Sequence, residues 1–287
     1  MRHGKTLVIV ATLWGALSLA AFGQATLTLA FEEMTPHVGQ AFELRVVDEA
    51  SGREIVRVWV PEIVGAAFEL EIDEVKLGGS YRIDFYADAN RNGRYDVPPG
   101  DHAWRIEIPE IQHKTSLAFR HTADFTDIAW PPHLDGVIEE MEYRNEMIDT
   151  GTGMSVFWQN DGSNLYVGLV APGTGWLSIG FGPKNRMQGA NILIAAIAAE
   201  LTIEDHYGNT PTSHRRDDVD HIIQAAGRET DGISTLEFAI PLDSADDQDV
   251  PLAPGSEVVI ILAYHASNDG LTARHTARST TSIALDK

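Results

Sequence analysis

Short alternating runs of apolar and polar residues, with no helical period of useful length, follow the first 25 residues of this chain. In residues 68–72 (Phe-Glu-Leu-Glu-Ile) and 82–85 (Arg-Ile-Asp-Phe), apolar side chains fall on one face and polar side chains on the other. Glycine-containing turns at 51–52 and 78–79 separate such runs. The pattern is typical of an all-β fold built from sandwiches.

The length of 287 residues favours two domains over one. We expect an immunoglobulin-like or transthyretin-like β-sandwich over residues 26–121 and a second β-sandwich over residues 122–287. With 44% hydrophobic and 22% charged residues, both halves have enough apolar side chains for a packed core.

Residues 1–25 are predicted to be a secretory signal peptide. Arg2, His3 and Lys5 precede an apolar run over 7–22 that ends in small residues. The protein is therefore expected to be exported, to the periplasm or beyond the cell. The alternative is an uncleaved N-terminal anchor, which is the only membrane attachment that the sequence suggests.

The chain contains no cysteine and has a formal net charge of −21. Without cysteine, a lipid-anchored N-terminus, a covalently attached c-type haem and disulfides are excluded, so the domains depend on their cores. A strongly acidic surface disfavours nucleic acid and anionic membranes as partners. It favours cations and basic protein patches, although solubility alone also explains such a charge.

One block in the second half carries the clearest motif. Residues 175–182 read Gly-Trp-Leu-Ser-Ile-Gly-Phe-Gly, and Met187 follows on a turn before Gly-Ala-Asn at 189–191 and an aliphatic run. This arrangement resembles the DOMON family, the small β-sandwich of extracellular b-type cytochromes and of the N-terminal part of dopamine β-monooxygenase. The resemblance covers roughly residues 130–285 and implies a DOMON-like sandwich there.

Haem-binding DOMON domains hold iron between such a methionine and a histidine near the C-terminus of the domain. The resemblance therefore implies haem b ligated by Met187 and His275, which loops at one end of the sandwich would bring together. Further residues are expected to contact the haem: Trp176 and Phe181 as pocket wall, and Arg186, Arg274 and Arg278 as partners of the propionates.

Protein ligands on both sides of the iron leave no open position for a substrate. The sequence thus predicts an electron-transfer module with a redox protein partner, and not a stand-alone enzyme. Two alternatives concern the ligands: Met187 as a gap-filling core residue, and His265 as a competing histidine.

A haem-free DOMON-type module that binds carbohydrate or protein is the second hypothesis. Its stacking aromatics would be Trp158, Trp176 and Tyr166. The same three residues, which lie in predicted strands, are equally explained as core.

A calcium-like loop lies in the first half. Its oxygen-bearing side chains have the spacing of a Ca²⁺ loop around Gly93, but Pro99 replaces the usual bidentate glutamate. The candidate ligands are Asp88, Asn90, Asn92, Arg94 (through its carbonyl), Asp96 and Asp101. The alternatives are a hydrogen-bonded turn without metal, or a Ca²⁺-stiffened structural or adhesion protein.

The segment 205–220 is rich in histidine and aspartate. His206, His214 and His221 have a spacing that fits no compact metal-ligand set, so a polar loop is expected there, with a zinc or copper site as the alternative. The sequence has no nucleophile elbow, H-E-x-x-H motif or P-loop. The absence of these motifs agrees with a protein that is not an enzyme.

Overall fold

The computed structural model describes Val8, Ile9, Gly23 and residues 25–287. The predicted signal peptide or anchor therefore lies almost wholly outside the described residues. Within that described part, no helix combines the length and hydrophobicity that a membrane crossing needs. The regular structure is almost entirely β, so the predicted all-β fold class is confirmed. The chain divides into two compact units after Ala129. The sequence had predicted this boundary after residue 121.

Unit 1 contains two four-stranded sheets. One has the order β1 (Val8–Ile9), β5 (Phe68–Ile72), β2 (Thr26–Glu32), β8 (Lys114–Arg120), and the other β4 (Glu54–Val60), β3 (Phe42–Asp48), β6 (Tyr81–Ala87), β7 (His102–Ile108). The short 3-10 helix Thr35–His37 follows β2.

Phenylalanine rings fill the space between these two sheets. The ring of Phe31 lies 4.8 Å from that of Phe68 in the same sheet, and 5.0 and 5.2 Å from Phe42 and Phe85 in the facing sheet. Edge-to-face and stacked pairs at these distances stabilise a core beyond the burial of their area. Unit 1 is therefore a β-sandwich; its kinship to immunoglobulin-like or transthyretin-like modules stays a prediction.

Unit 2 pairs a five-stranded with a six-stranded antiparallel sheet. The first has the order β16 (Gln224–Thr230), β17 (Ile233–Pro241), β11 (Asn164–Pro172), β10 (Ser155–Asn160), β9 (Asn145–Ile148), and the second β15 (Ser213–Arg216), β14 (Leu201–Thr210), β13 (Asn191–Ile197), β12 (Leu177–Phe181), β18 (Glu257–Tyr264), β19 (Ala277–Ala284). Their facing sides share one apolar core, so unit 2 is a second β-sandwich.

Strands β12 and β13 are buried on both sides. Leu177 and Ile179 face the core between the sheets, whereas Ile194 and Ala196 on the opposite side belong to a separate apolar cluster. We call this opposite side of the six-stranded sheet the outer face. An antiparallel sheet with one wet face alternates apolar and polar residues, so a second apolar face requires a cover.

The opening segment of unit 2, residues 134–143, docks on the five-stranded sheet through one buried carboxylate. Oε2 of Glu237 accepts the N–H groups of Gly136 (2.8 Å) and Asp135 (3.2 Å), and the hydroxyl of Tyr143 donates to Oε1 (2.8 Å). Burial first, and then the charge of Glu142, raises the pKa of Glu237 to about 8. The neutral carboxyl is therefore the form that the fold favours.

We predict that Glu237 makes unit 2 less stable as the pH rises. Its pKa in the fold, about 8, exceeds the ordinary 4.5, so its stabilising contribution is complete below pH 4.5 and is lost as the pH rises toward 8. The loss is roughly 3 kcal/mol between pH 4.5 and 7. Glu237→Gln, which mimics the neutral carboxyl, should flatten this dependence in denaturant unfolding measured across that range. The exposed Glu140→Gln is the control, and parallel pH profiles for wild type and Glu237→Gln would refute the prediction.

Candidate functional site

The loop 182–190, which joins β12 to β13, carries Met187 over the outer face. Leu201 and Ile203 of β14 pack on the core, so Gly208, at the other parity of the strand, lies on the outer side. A β-carbon at Gly208 would collide with the carbonyl oxygen of Met187. Only glycine admits this contact, and it places the Met187 loop against the outer side of β14.

Hydrogen bonds hold this loop in place. Gly189 donates its N–H to the carbonyl of Gly208 (2.7 Å), Gly208 donates to Ala190 (2.8 Å), and Ala190 donates to Met187 (3.0 Å). Met187 itself is half-buried. The methionine is thus carried by a backbone that strand β14 fixes, and not by a free turn.

The loop 265–276, which joins β18 to β19, carries His275 over the same face. Its Leu271 and Ala273 pack against Trp176, Ile194 and Ala196. His275 is half-buried. The indole nitrogen of Trp176, a side chain that is only 5% exposed, has no hydrogen-bond partner among the described residues. The loop that carries His275 therefore covers the apolar cluster of the outer face.

The prediction that loops at one end of the sandwich gather Met187 and His275 was wrong. Strand β12 leaves the sheet at Phe181, which pairs with Ile260, whereas β18 leaves it at Tyr264, which pairs with Leu177. Because β12 and β18 are antiparallel, their following loops emerge at opposite ends. The loop 265–276 folds back over the outer face through Leu271 and Ala273, whereas the loop 182–190 meets the outer side of β14 at Gly208.

Trp176 and Phe181 do not form a common pocket wall. Trp176 belongs to the outer-face cluster, whereas Phe181 is fully buried in the core between the sheets. The strand separates them because successive side chains alternate between its faces. The prediction of Phe181 as pocket wall was therefore wrong, and Trp176 alone lies on the outer face.

The three predicted arginines are exposed. Arg278 pairs with Ala263 in the β18–β19 ladder, while Arg186, with φ of 53°, lies in the Met187 loop. Burial lowers the pKa of His275, and the charges of Arg278 and Arg274 lower it further. At neutral pH the imidazole is therefore uncharged and has a nitrogen lone pair to offer.

The competing histidine, His265, holds its own loop together. Its ring Nδ1 accepts the backbone N–H groups of Ser267 (3.1 Å) and Asn268 (3.0 Å). The backbone N–H of His265 donates to the carbonyl of Trp176 (2.8 Å). These bonds shape the loop that carries His275. His265 thus has a structural role beside the predicted ligand.

The aromatic residues proposed to stack on carbohydrate are buried. Trp158 is 7% exposed and donates its indole N–H to the carbonyl of Ala284 (2.8 Å), and the hydroxyl of Tyr166 donates to Asp161 (2.8 Å). Trp176 lies under the 265–276 loop. The structure supports the core interpretation of all three residues.

The 88–101 loop of unit 1 is a hydrogen-bonded turn. The two oxygens of Asp88 accept the N–H groups of Asn92 (3.1 Å) and Gly93 (2.9 Å), and those of Asp101 accept the N–H groups of Ala89 (2.9 Å) and Asp96 (2.7 Å).

Amide groups of the same loop complete this network. Asn90 donates its side-chain amide to Asp96 (2.8 Å), and Arg94 donates its N–H to Asn92 (3.0 Å). Among the described residues, no three acidic or histidine side chains of this loop gather their donor atoms as a metal site would, and the calcium prediction is not supported. The alternative of a hydrogen-bonded turn accounts for these contacts.

The polar loop expected over residues 205–220 was wrong for much of this segment, which forms the end of β14 and the strand β15. Two polar clusters, which sequence reasoning did not assemble, lie on β14. On the outer side, Nδ1 of His206 lies 2.9 Å from Nδ1 of His214, and its Nε2 lies 2.8 Å from Glu204. On the inner side, Asp205 meets two residues from other segments, His221 and Asp249.

The inner cluster contains a carboxyl group, that of Asp205, with a strongly shifted pKa. Burial and then the charge of Asp249 raise the pKa of Asp205 to about 7. The spacing of these residues along the chain does not predict either cluster. Both clusters are assembled by the alternation of side chains on β14 and by contacts between segments that lie far apart in the sequence.

Unit 2 is a β-sandwich in which two connecting loops cover one face of the larger sheet. Residues 150–265 match the family model of the DOMON domain. Unit 2 thus contains a DOMON domain, and the predicted resemblance is confirmed. Met187 lies inside the matched segment, and His275 lies ten residues beyond its end.

Two solved structures are similar to this chain. One is the cytochrome b domain of pyranose dehydrogenase from Coprinopsis cinerea, at 12% identity and a TM-score of 0.40, covering 48% of this chain and 80% of that one. The other is the cytochrome domain of cellobiose dehydrogenase from Myriococcum thermophilum, at 12% identity and a TM-score of 0.38, covering 50% and 88%.

We predict that Asp88→Ala destabilises unit 1 equally with and without calcium. The substitution leaves the N–H groups of Asn92 and Gly93 without their acceptor, which costs about 1–3 kcal/mol. Thermal unfolding with added Ca²⁺ and with chelator should show the same loss, and the exposed Asp124→Ala should show almost none. A calcium-dependent rise in Tm that Asp88→Ala abolishes would restore the metal prediction.

Proposed function

We propose that unit 2 binds haem b between Met187 and His275 and serves as an electron-transfer module of an exported protein. One observation supports the proposal: the loop of His275 packs over the apolar outer face of the six-stranded sheet, and the loop of Met187 lies against the outer side of β14 in the same sheet. The DOMON match over residues 150–265 adds the family expectation of methionine–histidine ligation.

The residues on the outer face fit a haem. The floor between the loops consists of small and aliphatic side chains, including Ile194, Ala196 and Ala263, which suit an apolar macrocycle. Leu177 to Phe181 spans about 14 Å along β12, so a long side chain from each end has to cover only about half of that distance. The unpartnered indole N–H of Trp176 leaves one buried donor for a ligand.

Each residue has a distinct task in this proposal. The thioether of Met187 and the neutral imidazole of His275 would hold the haem iron, and a haem ligated by two protein side chains would transfer electrons without binding a substrate at the metal. Bound haem would supply reversible one-electron chemistry, and a methionine ligand raises its potential. Arg274 and Arg278, on either side of His275, would pair with the propionates. The net charge of −21 would steer a redox partner with a basic surface.

The decisive measurement is a visible spectrum of the full chain reconstituted with haem. We expect a reduced α-band of a six-coordinate haem in the wild type, and its loss in Met187→Ala and in His275→Ala, because each removes one axial ligand. The exposed Met141→Ala and His133→Ala are matched controls that should keep the band. An unchanged spectrum in both ligand variants would exclude this site.

A second variant tests the support of the ligand. Gly208→Ala should displace the Met187 loop, because a β-carbon there collides with its carbonyl oxygen. We expect weaker haem binding, by roughly tenfold or more on the scale of lost supporting contacts, with the same type of spectrum in the bound fraction. Gly65→Ala, where a β-carbon meets nothing closer than 3.9 Å, is the control. Equal affinities for Gly208→Ala and wild type would show that the loop position does not matter.

A further inference from the structure

Three metal-ligating side chains from distant segments meet on the inner side of β14. Asp205 belongs to that strand, His221 to the segment 217–223 before β16, and Asp249 to the segment 242–256 before β18. One donor atom from each lies within 4.8 Å of the others. Among the described residues, this is the only such group of three. The calcium-like loop of unit 1 does not form one.

Several buried polar atoms of this cluster have no hydrogen-bond partner among the described residues. Oδ2 of Asp205 accepts the N–H of His221 (3.2 Å), and Oδ2 of Asp249 accepts the hydroxyl of Ser244 (2.6 Å). Their Oδ1 atoms and Nδ1 of His221 are buried without a hydrogen-bond partner among the described residues. Nδ1 of His221 lies 3.1 Å from Oδ2 of Asp249, but without hydrogen-bond geometry.

Burial makes the missing hydrogen bonds of these side chains costly in free energy. Asp205 is 2% exposed and the side chain of Asp249 is 7% exposed. A buried polar atom without a partner costs about 1–3 kcal/mol, and more when it is charged. Neighbouring Asp217 adds a further carboxylate with an unpartnered buried Oδ2. A bound cation would satisfy these oxygens and relieve the repulsion between the carboxylates.

We propose that Asp205, His221 and Asp249 bind a zinc ion. Two carboxylate oxygens and one imidazole nitrogen are a ligand set that Zn²⁺ accepts at 2.0–2.2 Å, whereas Ca²⁺ takes oxygen ligands. Donors at that distance in a tetrahedron lie about 3.4 Å apart, so small side-chain rotations complete the site. Three protein ligands leave one position of the tetrahedron for water.

An ion can reach this site from solvent. Asp249 also lines an open groove of about 350 Å³ together with Lys184 and Tyr207, and the side chain of His221 is 21% exposed. The ion would join β14 of the six-stranded sheet to segments that adjoin β16 and β17 of the five-stranded sheet. It would therefore act as a cross-link between the two sheets of unit 2, independent of the haem proposal on the outer face.

The test is thermal unfolding of the chelator-stripped full chain with added Zn²⁺, Ca²⁺ or Mg²⁺. We expect Zn²⁺ to raise the Tm in a concentration-dependent way, because a ligand that binds only the folded state stabilises it, and we expect Ca²⁺ and Mg²⁺ to leave it unchanged. Elemental analysis should find one zinc per chain. Co²⁺ should give the visible absorption of a tetrahedral site.

Variants locate the ion. His221→Gln and Asp249→Asn should lose the zinc-dependent increment in Tm, which is measured against each variant's own metal-free Tm so that a lower basal stability does not matter. His214→Gln, in the outer histidine pair, is the matched control and should keep it. The proposal is overturned if the wild type shows no increment. It is equally overturned if the increment survives His221→Gln or disappears in His214→Gln.

Discussion

The second apolar face of strands β12 and β13 is the constraint on which the rest of unit 2 depends. Their inner side is covered by the five-stranded sheet, but Ile194 and Ala196 on the outer side would otherwise face water. The loop 265–276 provides the cover through Leu271 and Ala273, and the half-buried His275 belongs to this loop. Hydrophobic burial thus fixes the loop of His275, and backbone hydrogen bonds to β14 fix the loop of Met187.

Strand β14 separates two kinds of chemistry by simple alternation. Asp205 points into the sandwich, where it meets His221 and Asp249, and His206 points to the outer face, where it meets His214. The proposed zinc cross-link and the proposed haem site therefore lie on opposite sides of one sheet. One would stabilise the sandwich from within, and the other would exchange electrons with a partner at its outer face.

Much of the architecture was predictable because its signals are local. Alternation in residues 68–72 predicted the strand in which Phe68, Leu70 and Ile72 are buried, and the block around 175–182 predicted the DOMON domain. The side chains of the 88–96 segment were compatible with both a hydrogen-bonded turn and a metal-binding loop. Hydrogen bonds from Asn92 and Gly93 to Asp88 support the turn.

By itself, the sequence determined the all-β class, the family of the second half and the identity of the two candidate ligands, because a period of two and a compact motif are properties of neighbouring residues. Only the tertiary structure decided that the loops of Met187 and His275 leave the sheet at opposite ends, that Phe181 faces the core between the sheets, and that Asp205 lies beside His221 and Asp249. These facts depend on strand order and register, which pair residues far apart in the chain and leave no trace in local spacing.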